Sequence, residues 1–269
     1  MDRYADQRDL ELLEGDKCTF AVLSRILKGT CRLILTDHRR LLICHSSEPY
    51  PVWIWTPDDI SAEEKERAWR EVTAACPMAD GYRYNLKYEL AEFFLSRARE
   101  QGENAVIATN MFAYDCPAPV MPKHMAEGRM HLCTQEDLEE AADVLRLFQE
   151  EVGIDRRDMN EYRNMVRAYI EGSRFFFWKD DSGRTVACCH YMPDGEVASV
   201  CGVYTFPPHR RRHYAENLVY QVTKVVEATG AMPMLYTDAD YAASNACYEK
   251  IGYVLKGRLC TIAVEKCWC

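Results

Sequence analysis

The chain has 269 residues, 48% hydrophobic and 28% charged, with 33 Lys and Arg against 42 Asp and Glu and a formal net charge of −9. Residues 1–125 carry −4 of that and residues 126–269 carry −5, so neither half offers the clustered basic surface that phosphate neutralisation needs, which argues against nucleic acid as a partner. No apolar run approaches the ~18–20 residues of a membrane helix, and the polar, acidic start MDRYADQRDLELLEG is not a signal peptide, so the expectation is a cytoplasmic protein away from membranes.

The first half, residues 1–125, reads as a small α/β domain. A helix is expected from about Lys17 to Lys28, then strands at 31–36, 41–45 and 51–56. The aromatic strand PVWIWTP (51–57) reads as a buried edge strand, with a pocket wall as the alternative. Ser61 with Glu64 three residues later is a reciprocal cap that opens a helix to about Ala75. Residues 88–101 form another helix, and Ala105–Thr109 is strand-like. The stretch NMFAYDCPAPVMPKHMAEG (110–128) has Pro-containing turns and no periodicity, which suits a linker.

The second half, residues 126–269, is more regular. A short strand at Arg129–Thr134 leads to a helix signalled by Thr134 and Asp137, with Leu138, Ala141, Leu145, Phe148 and Val152 at helical spacing and Gly153 as its stop. A second helix starts near Asp158 and ends at Gly172. Three β-rich segments follow at 175–180, 185–192 and 196–206. The turns Asp181-Ser182-Gly183 and Pro193-Asp194-Gly195 make them antiparallel hairpins. A helix with Leu218, Val219, Val222, Val225 and Val226 on one face, a strand at Met232–Asp238, a short helix at 243–251 and a strand at Tyr253–Val264 complete the order β-α-α-β-β-β-α-β-α-β. No residue-level repeat links the halves.

Thirteen cysteines are spread along the whole chain, many inside apolar stretches such as Cys188-Cys189, and no pair has the two-residue gap of zinc ligands. The tail Cys267-Trp268-Cys269 offers only two thiolates. Buried thiols in a reducing compartment, with no metal, are the expectation.

Two segments carry chemistry. In VYTFPPHRRRHYA (203–215) a strand passes through a Pro-rich turn into a helix, and Arg210, Arg211 and Arg212 stand at the helix mouth. Unpaired amides and the helix dipole attract phosphate there, and guanidinium forks add bidentate contacts. A solvated loop is the duller reading of such a run. In SNACYEKIGY (244–253), Asn245 and Tyr248 share a helix face, where a tyrosine hydroxyl can hydrogen-bond a thioester sulfur or protonate a thiolate. Alternatively Tyr248 and Ile251 are core residues and Gly252 is a C-terminal stop.

Together, in this order, the two segments resemble the GNAT acetyltransferase superfamily over roughly residues 129–264. The closest look is to the branch containing glycine N-acyltransferase-like domains. The resemblance implies an α/β (α+β) fold: a mixed, mostly antiparallel sheet flanked by helices, preceded here by a second, smaller α/β domain that tandem members would make a degenerate copy. It implies acetyl-CoA as co-substrate, with Val203, Tyr204 and Thr205 on the strand that holds the pantetheine arm. Arg210, Arg211, Arg212, His213, Tyr214 and Ala215 would form the loop around the pyrophosphate, and Asn245 and Tyr248 the closing motif. His213 departs from the family's usual glycine, a residue that permits close backbone approach.

Direct acetyl transfer needs a base for the amine, a hydrogen bond to the thioester oxygen and an acid for the thiolate. Tyr248 is the candidate acid, and Glu196, Asp238 and His190 are candidate bases. A turn carboxylate, a cap and a satisfied strand histidine are their respective duller readings, and a water chain is the further alternative. A ping-pong route through Cys201 or Cys247 ranks below these, because nothing pairs either thiol with a base. The expected function is N-acetyl transfer to a primary amine of a small molecule or peptide, and the competing one a non-catalytic acyl-CoA-binding module. Homodimer formation stays open.

Overall fold

The computed structural model describes residues 1–79, 81–153 and 157–265. Four reciprocal caps start helical segments in it. Asp6 and Asp9 open α1 (Gln7–Leu12), which follows from a sequence too short and polar to advertise a helix. Ser61 Oγ accepts from the Glu64 amide at 3.2 Å and Glu64 returns the bond at 2.8 Å, opening α3 (Ala62–Ala75). Thr134 and Asp137 do the same ahead of α5 (Leu138–Glu151), and Asp158 with Glu161 opens α6 (Met159–Glu171). Each satisfies amides that the helix itself leaves unpaired.

In chain order the remaining elements are α2 (Ala21–Leu27), β1 (Leu33–Thr36), β2 (Leu42–His45), β3 (Val52–Trp55), β4 (Arg83–Leu86), α4 (Tyr88–Glu100), β5 (Ala105–Asp115), β6 (Arg129–Leu132), β7 (Phe175–Lys179), β8 (Thr185–Asp194), β9 (Val197–Thr205), α7 (Tyr214–Ala228), β10 (Met232–Asp238), α8 (Ala242–Lys250) and β11 (Val254–Val264). The chain divides into two compact units. The first comprises Met1–Ala113, Thr237–Tyr241 and the chain from Leu255; the second comprises Tyr114–Tyr236 and Ala242–Val254.

In the first unit β1, β2 and β3 are antiparallel neighbours and β3 runs parallel to β4. The last described strand, β11, then pairs antiparallel with β4, Cys260 opposite Leu86. Helices α3 and α4 bury Ala68, Trp69, Val72, Leu90, Phe94 and Ala98 on this sheet, and the Trp69 and Phe94 rings meet edge to face at 5.1 Å. In the second unit β6, β7, β8 and β9 are antiparallel neighbours and β10 is parallel to β9. Helices α5 and α6 pack Val144, Leu145, Tyr162, Val166 and Ile170 on Phe175, Phe177, Cys188 and Tyr204. Strand alternation turns Phe176 and Trp178 to the other face, and α7 lies against β7, β8 and β9 with Leu218, Val219, Val222 and Val226 buried. The two halves thus share an order, β-β-β-α-β-α-β, and each has a parallel junction before the fourth of those strands. The sheets are mixed and mostly antiparallel, flanked by helices.

Several expectations need correction. The helix expected from Lys17 begins only at Ala21, after a 3₁₀ turn at Glu14–Asp16. The strand PVWIW is not an edge: β3 lies between β2 and β4, and Val52, Trp53, Ile54 and Trp55 are all buried. Strand β4 is absent from the sequence reading, because Asn85 breaks the apolar pattern. That amide oxygen is satisfied by the Thr261 hydroxyl of β11 at 2.7 Å, 176 residues away. The segment read as a linker from residue 110 stays in β5 as far as Asp115. The described cysteines are free thiols, seven of them buried, while the Cys267 and Cys269 tail lies outside the described residues. No described helix is long and apolar enough to cross a membrane.

Candidate active site

Strands β9 and β10 are parallel and pair at Val197–Met232, Ala198–Pro233 and Ser199–Met234. No further pair joins them among the described residues, although β9 runs on to Thr205. Two parallel strands that part in mid-course expose main-chain donors and acceptors on their facing edges. A flat, amide-bearing chain slipped between them meets those groups as a strand would.

The parting coincides with an irregularity on the other side of β9. The β8–β9 register shifts between Cys188 and His190, opposite Gly202, whose φ is +60°. His190 lies against that glycine, buried, in near-parallel stacks with Tyr169 (centroids 4.3 Å apart) and Phe175 (5.6 Å). Its Nδ1 has no hydrogen-bond partner, and burial pushes its pKa down to about 3, with Arg174 adding to the fall.

Beyond β9 the chain makes a 3₁₀ turn at Pro207–His209 and enters α7 through 210–213. Arg211 (φ +64°) and His213 (φ +63°, ψ +8°) are both left-handed, the conformation that suits glycine best. His213 is the N-cap residue of α7, but its side chain does not cap the helix amides. Among the described residues no partner takes the amides of 211–216, so a run of N–H groups is left at the helix mouth. Alternating backbone of this kind forms an anion-binding concavity, and Arg211 and Arg212 are exposed beside it. The His213 ring points aside: Nδ1 donates to Glu216 Oε2 at 3.1 Å and the ring lies 4.9 Å from that of His124.

Other loop residues point inward. Arg210 donates through Nε to the Thr205 carbonyl (3.0 Å) and through Nη2 to both carboxylate oxygens of Glu151 (2.7 and 2.5 Å). Tyr214 is buried and its hydroxyl donates to Glu127 at 2.5 Å; Tyr204 is part of the core beneath α5 and α6. Tyr204 and Tyr214 therefore have only their backbones to offer a ligand, whereas Val203, Thr205 and Ala215 are half-buried.

On α8, Asn245 and Tyr248 are both buried, and the Tyr248 ring meets Tyr253 edge to face at 6.0 Å. Helix α8 packs against α7, where the Tyr253 and Thr223 hydroxyls are 2.8 Å apart. Glu196 is exposed at the start of β9, at the end where β9 and β10 are joined. Seven residues of strand separate it from Val203, roughly 23 Å at ~3.3 Å each. Asp238 holds the turn after β10, accepting the Asp240 amide at 2.9 Å. Burial pushes the Cys247 thiol up to about 12.

Sequence reasoning missed Glu151 and Gly202. A helix-terminal acid 59 residues from its arginine leaves no local signal, but a glycine inside VASVCGVYTF is the ordinary mark of a bulge. In the first unit, Asp6, Asp9 and His38 bring ligand atoms within 4.8 Å of one another. They are already engaged: His38 Nδ1 meets Asp9 at 2.8 Å, Nε2 meets Asp2 at 3.1 Å, and Thr36 donates to Asp9 at 2.5 Å.

A family model described as acetyltransferase (GNAT) family matches residues 135–253, a stretch that contains the parting strands, the 210–215 loop and α8. Those residues form a GNAT-family acetyltransferase domain within the chain. It is thereby an acyltransferase, of a superfamily that in general takes acetyl groups from acetyl-CoA. Solved GNAT-like structures share the fold across nearly the whole chain. A protein from Drosophila melanogaster superposes with a TM-score of 0.70 at 13% identity, covering 98% of each chain. A GCN5-related N-acetyltransferase from Kribbella flavida gives 0.62 at 16%, covering 94% of this chain and 96% of its own. A GNAT-family acetyltransferase from Colwellia psychrerythraea gives 0.59 at 11%, covering 98% and 99%. No curated protein matches the sequence.

Proposed function

We propose that the protein moves an acetyl group from acetyl-CoA to a primary amine of a small molecule or peptide by direct attack in a ternary complex. The observation that carries this reading is the run of unclaimed amides at 211–216, flanked by exposed Arg211 and Arg212, one turn beyond a strand that parts from its parallel neighbour. The amides and guanidinium groups suit a pyrophosphate, and the open edge of β9 at Val203 and Thr205 suits a pantetheine arm. A β9 amide near Val203 would polarise the thioester carbonyl. Tyr248 would protonate the departing thiolate, with Asn245 beside it on α8.

For the base, a ring whose pKa lies near 3 does not retain a proton taken from an ammonium at neutral pH, which argues against His190. Glu196 is a strand's length from Val203, and Asp238 is committed to its turn. A water chain is the reading that remains. Burial of Cys247 also disfavours a thiolate route. Charge supports an amine acceptor: the chain is net −9. The competing reading, a non-catalytic acyl-CoA-binding module, draws on the lack of a well-placed base.

Calorimetric titration of acetyl-CoA, beside an Arg211→Ala/Arg212→Ala variant, tests the donor site. Micromolar binding that the variant loses is the expected result, and no heat or thermal stabilisation at millimolar acetyl-CoA would sink it. Acceptor-dependent release of free CoA then separates the enzyme from the module, which would release none above hydrolysis.

A further inference from the structure

Glu151 is out of place by the ordinary rules of helix electrostatics. It is the last residue of α5, where the dipole disfavours a carboxylate and where no basic residue of the last turn offsets it. Its partner lies on the donor loop instead. The Arg210 guanidinium donates through Nη2 to both Glu151 oxygens at 2.7 and 2.5 Å, rests 5.9 Å from the Tyr204 ring centroid, and donates through Nε to the Thr205 carbonyl at 3.0 Å. One side chain thus ties three things together: the end of α5, the last residue of β9 and the first residue of the anion loop. The next residue is the left-handed Arg211, so the clasp sits where the loop takes up its least favourable backbone.

We infer that Glu151 is a positioning residue for the acyl-CoA donor, acting through Arg210, and that Arg210 is a strut of the loop and not a phosphate ligand. This rests on the donor reading above. With the strut in place, the 211–216 amides are preorganised for an anion and the phosphate contacts fall to Arg211 and Arg212. Without it, the loop gives up part of that order, and donor affinity falls while the chemical step at saturating donor is untouched.

The test is a double-mutant cycle on acetyl-CoA affinity, using the full chain as wild type, Glu151→Gln, Arg210→Gln and the pair, with Glu151→Asp as a milder variant. Melting temperatures and kcat at saturating acetyl-CoA are read alongside. Glu151→Gln is expected to weaken acetyl-CoA binding about tenfold with kcat unchanged, and the pair to bind no more weakly than Arg210→Gln alone. Glu151→Asp, which keeps the charge, should recover most of the loss. Unchanged or tighter binding by Glu151→Gln would overturn the inference, tighter binding because it would mean that freed Arg210 moves to the phosphate. So would strictly additive losses. If wild type itself binds no acetyl-CoA, the donor reading fails and takes this inference with it; wild-type binding with an indifferent Glu151→Gln removes the inference alone.

Discussion

The ring of His190 fills the space that a side chain on Gly202 would occupy: a Cβ there would stand 2.6 Å from both Nδ1 and Cε1 of the imidazole. The glycine also holds a φ of +60°, where a β-carbon is strained whatever the room. Gly202→Ala should therefore cost about 3 kcal/mol, strain and overpacking combined. Differential scanning calorimetry should show a fall in Tm of roughly 8 °C. Weaker acetyl-CoA binding should accompany it, because the bulge shapes β9 where the donor would lie.

His190 also sets an acid limit on stability. Its pKa falls from the ordinary 6.5 to about 3 in the folded chain because of burial, so below pH 6.5 the unfolded chain takes up a proton that the folded one refuses. Stability is lost as pH falls through that window and the loss levels off only near pH 3. His190→Phe keeps an aromatic ring between Tyr169 and Phe175 and removes the titration. Its Tm should decline less steeply than that of wild type from pH ~6.5 to ~5, an advantage on the order of 2 kcal/mol by pH ~5. Parallel melting curves for the two proteins across that range would refute this.

The 210–215 loop should respond in opposite directions to two changes. Arg212→Ala removes an exposed guanidinium at the helix mouth and should weaken acetyl-CoA about tenfold, with a shallower salt dependence. His213→Gly supplies the residue that its left-handed backbone prefers and clears the imidazole from the loop. Relief of strain and the greater freedom of glycine when unfolded should nearly cancel, leaving stability within about 1 kcal/mol. Calorimetry should then report tighter acetyl-CoA binding, several-fold.

Tyr248→Phe isolates the hydroxyl from the ring. The ring is buried and packs against Tyr253, so the fold should be kept. Once an amine acceptor is in hand, kcat should drop by about 10²-fold or more, in line with loss of a general acid, while the acetyl-CoA dissociation constant hardly moves. Full turnover by the variant would assign Tyr248 to the core alone.

Much of this was legible in the sequence wherever the signal is local. Ser61 with Glu64, Thr134 with Asp137 and Asp158 all mark helix starts, because a cap and its amides lie within one turn. The turn at 181–183 is local in the same way, whereas the turn expected at 193–195 falls at Gly195-Glu196, because Pro193 and Asp194 still pair with β9 as the end of β8. What the sequence hides is pairing at a distance. Nothing near Asn85 announces that Thr261 will satisfy it, so β4 stayed invisible, and nothing near Arg210 names Glu151. The sequence presents three adjacent arginines as one phosphate cluster, whereas the structure turns Arg210 back onto its own strand and leaves Arg211 and Arg212 exposed, Arg212 beside the Tyr214 hydroxyl.

The partner of β11 makes the family-matched half dependent on the other. A 126–269 fragment lacks β4, and β11 would present Leu259, Cys260, Thr261 and Ile262, all buried in the whole chain, along an unpaired edge. Expressed alone, the fragment should be recovered as aggregate or as oligomers by size-exclusion chromatography. A monodisperse, cooperatively melting monomer would contradict this.

That same pairing has a consequence for biosynthesis. Leu86 leaves the ribosome 174 residues before Cys260, the residue that closes its side of the sheet. Through that interval β4 waits with its outer edge open, and the first half cannot settle into its final form vectorially, domain by domain, as simpler tandem chains do. Folding of the first half is in that respect a late event, most exposed to misassembly until β11 has been made.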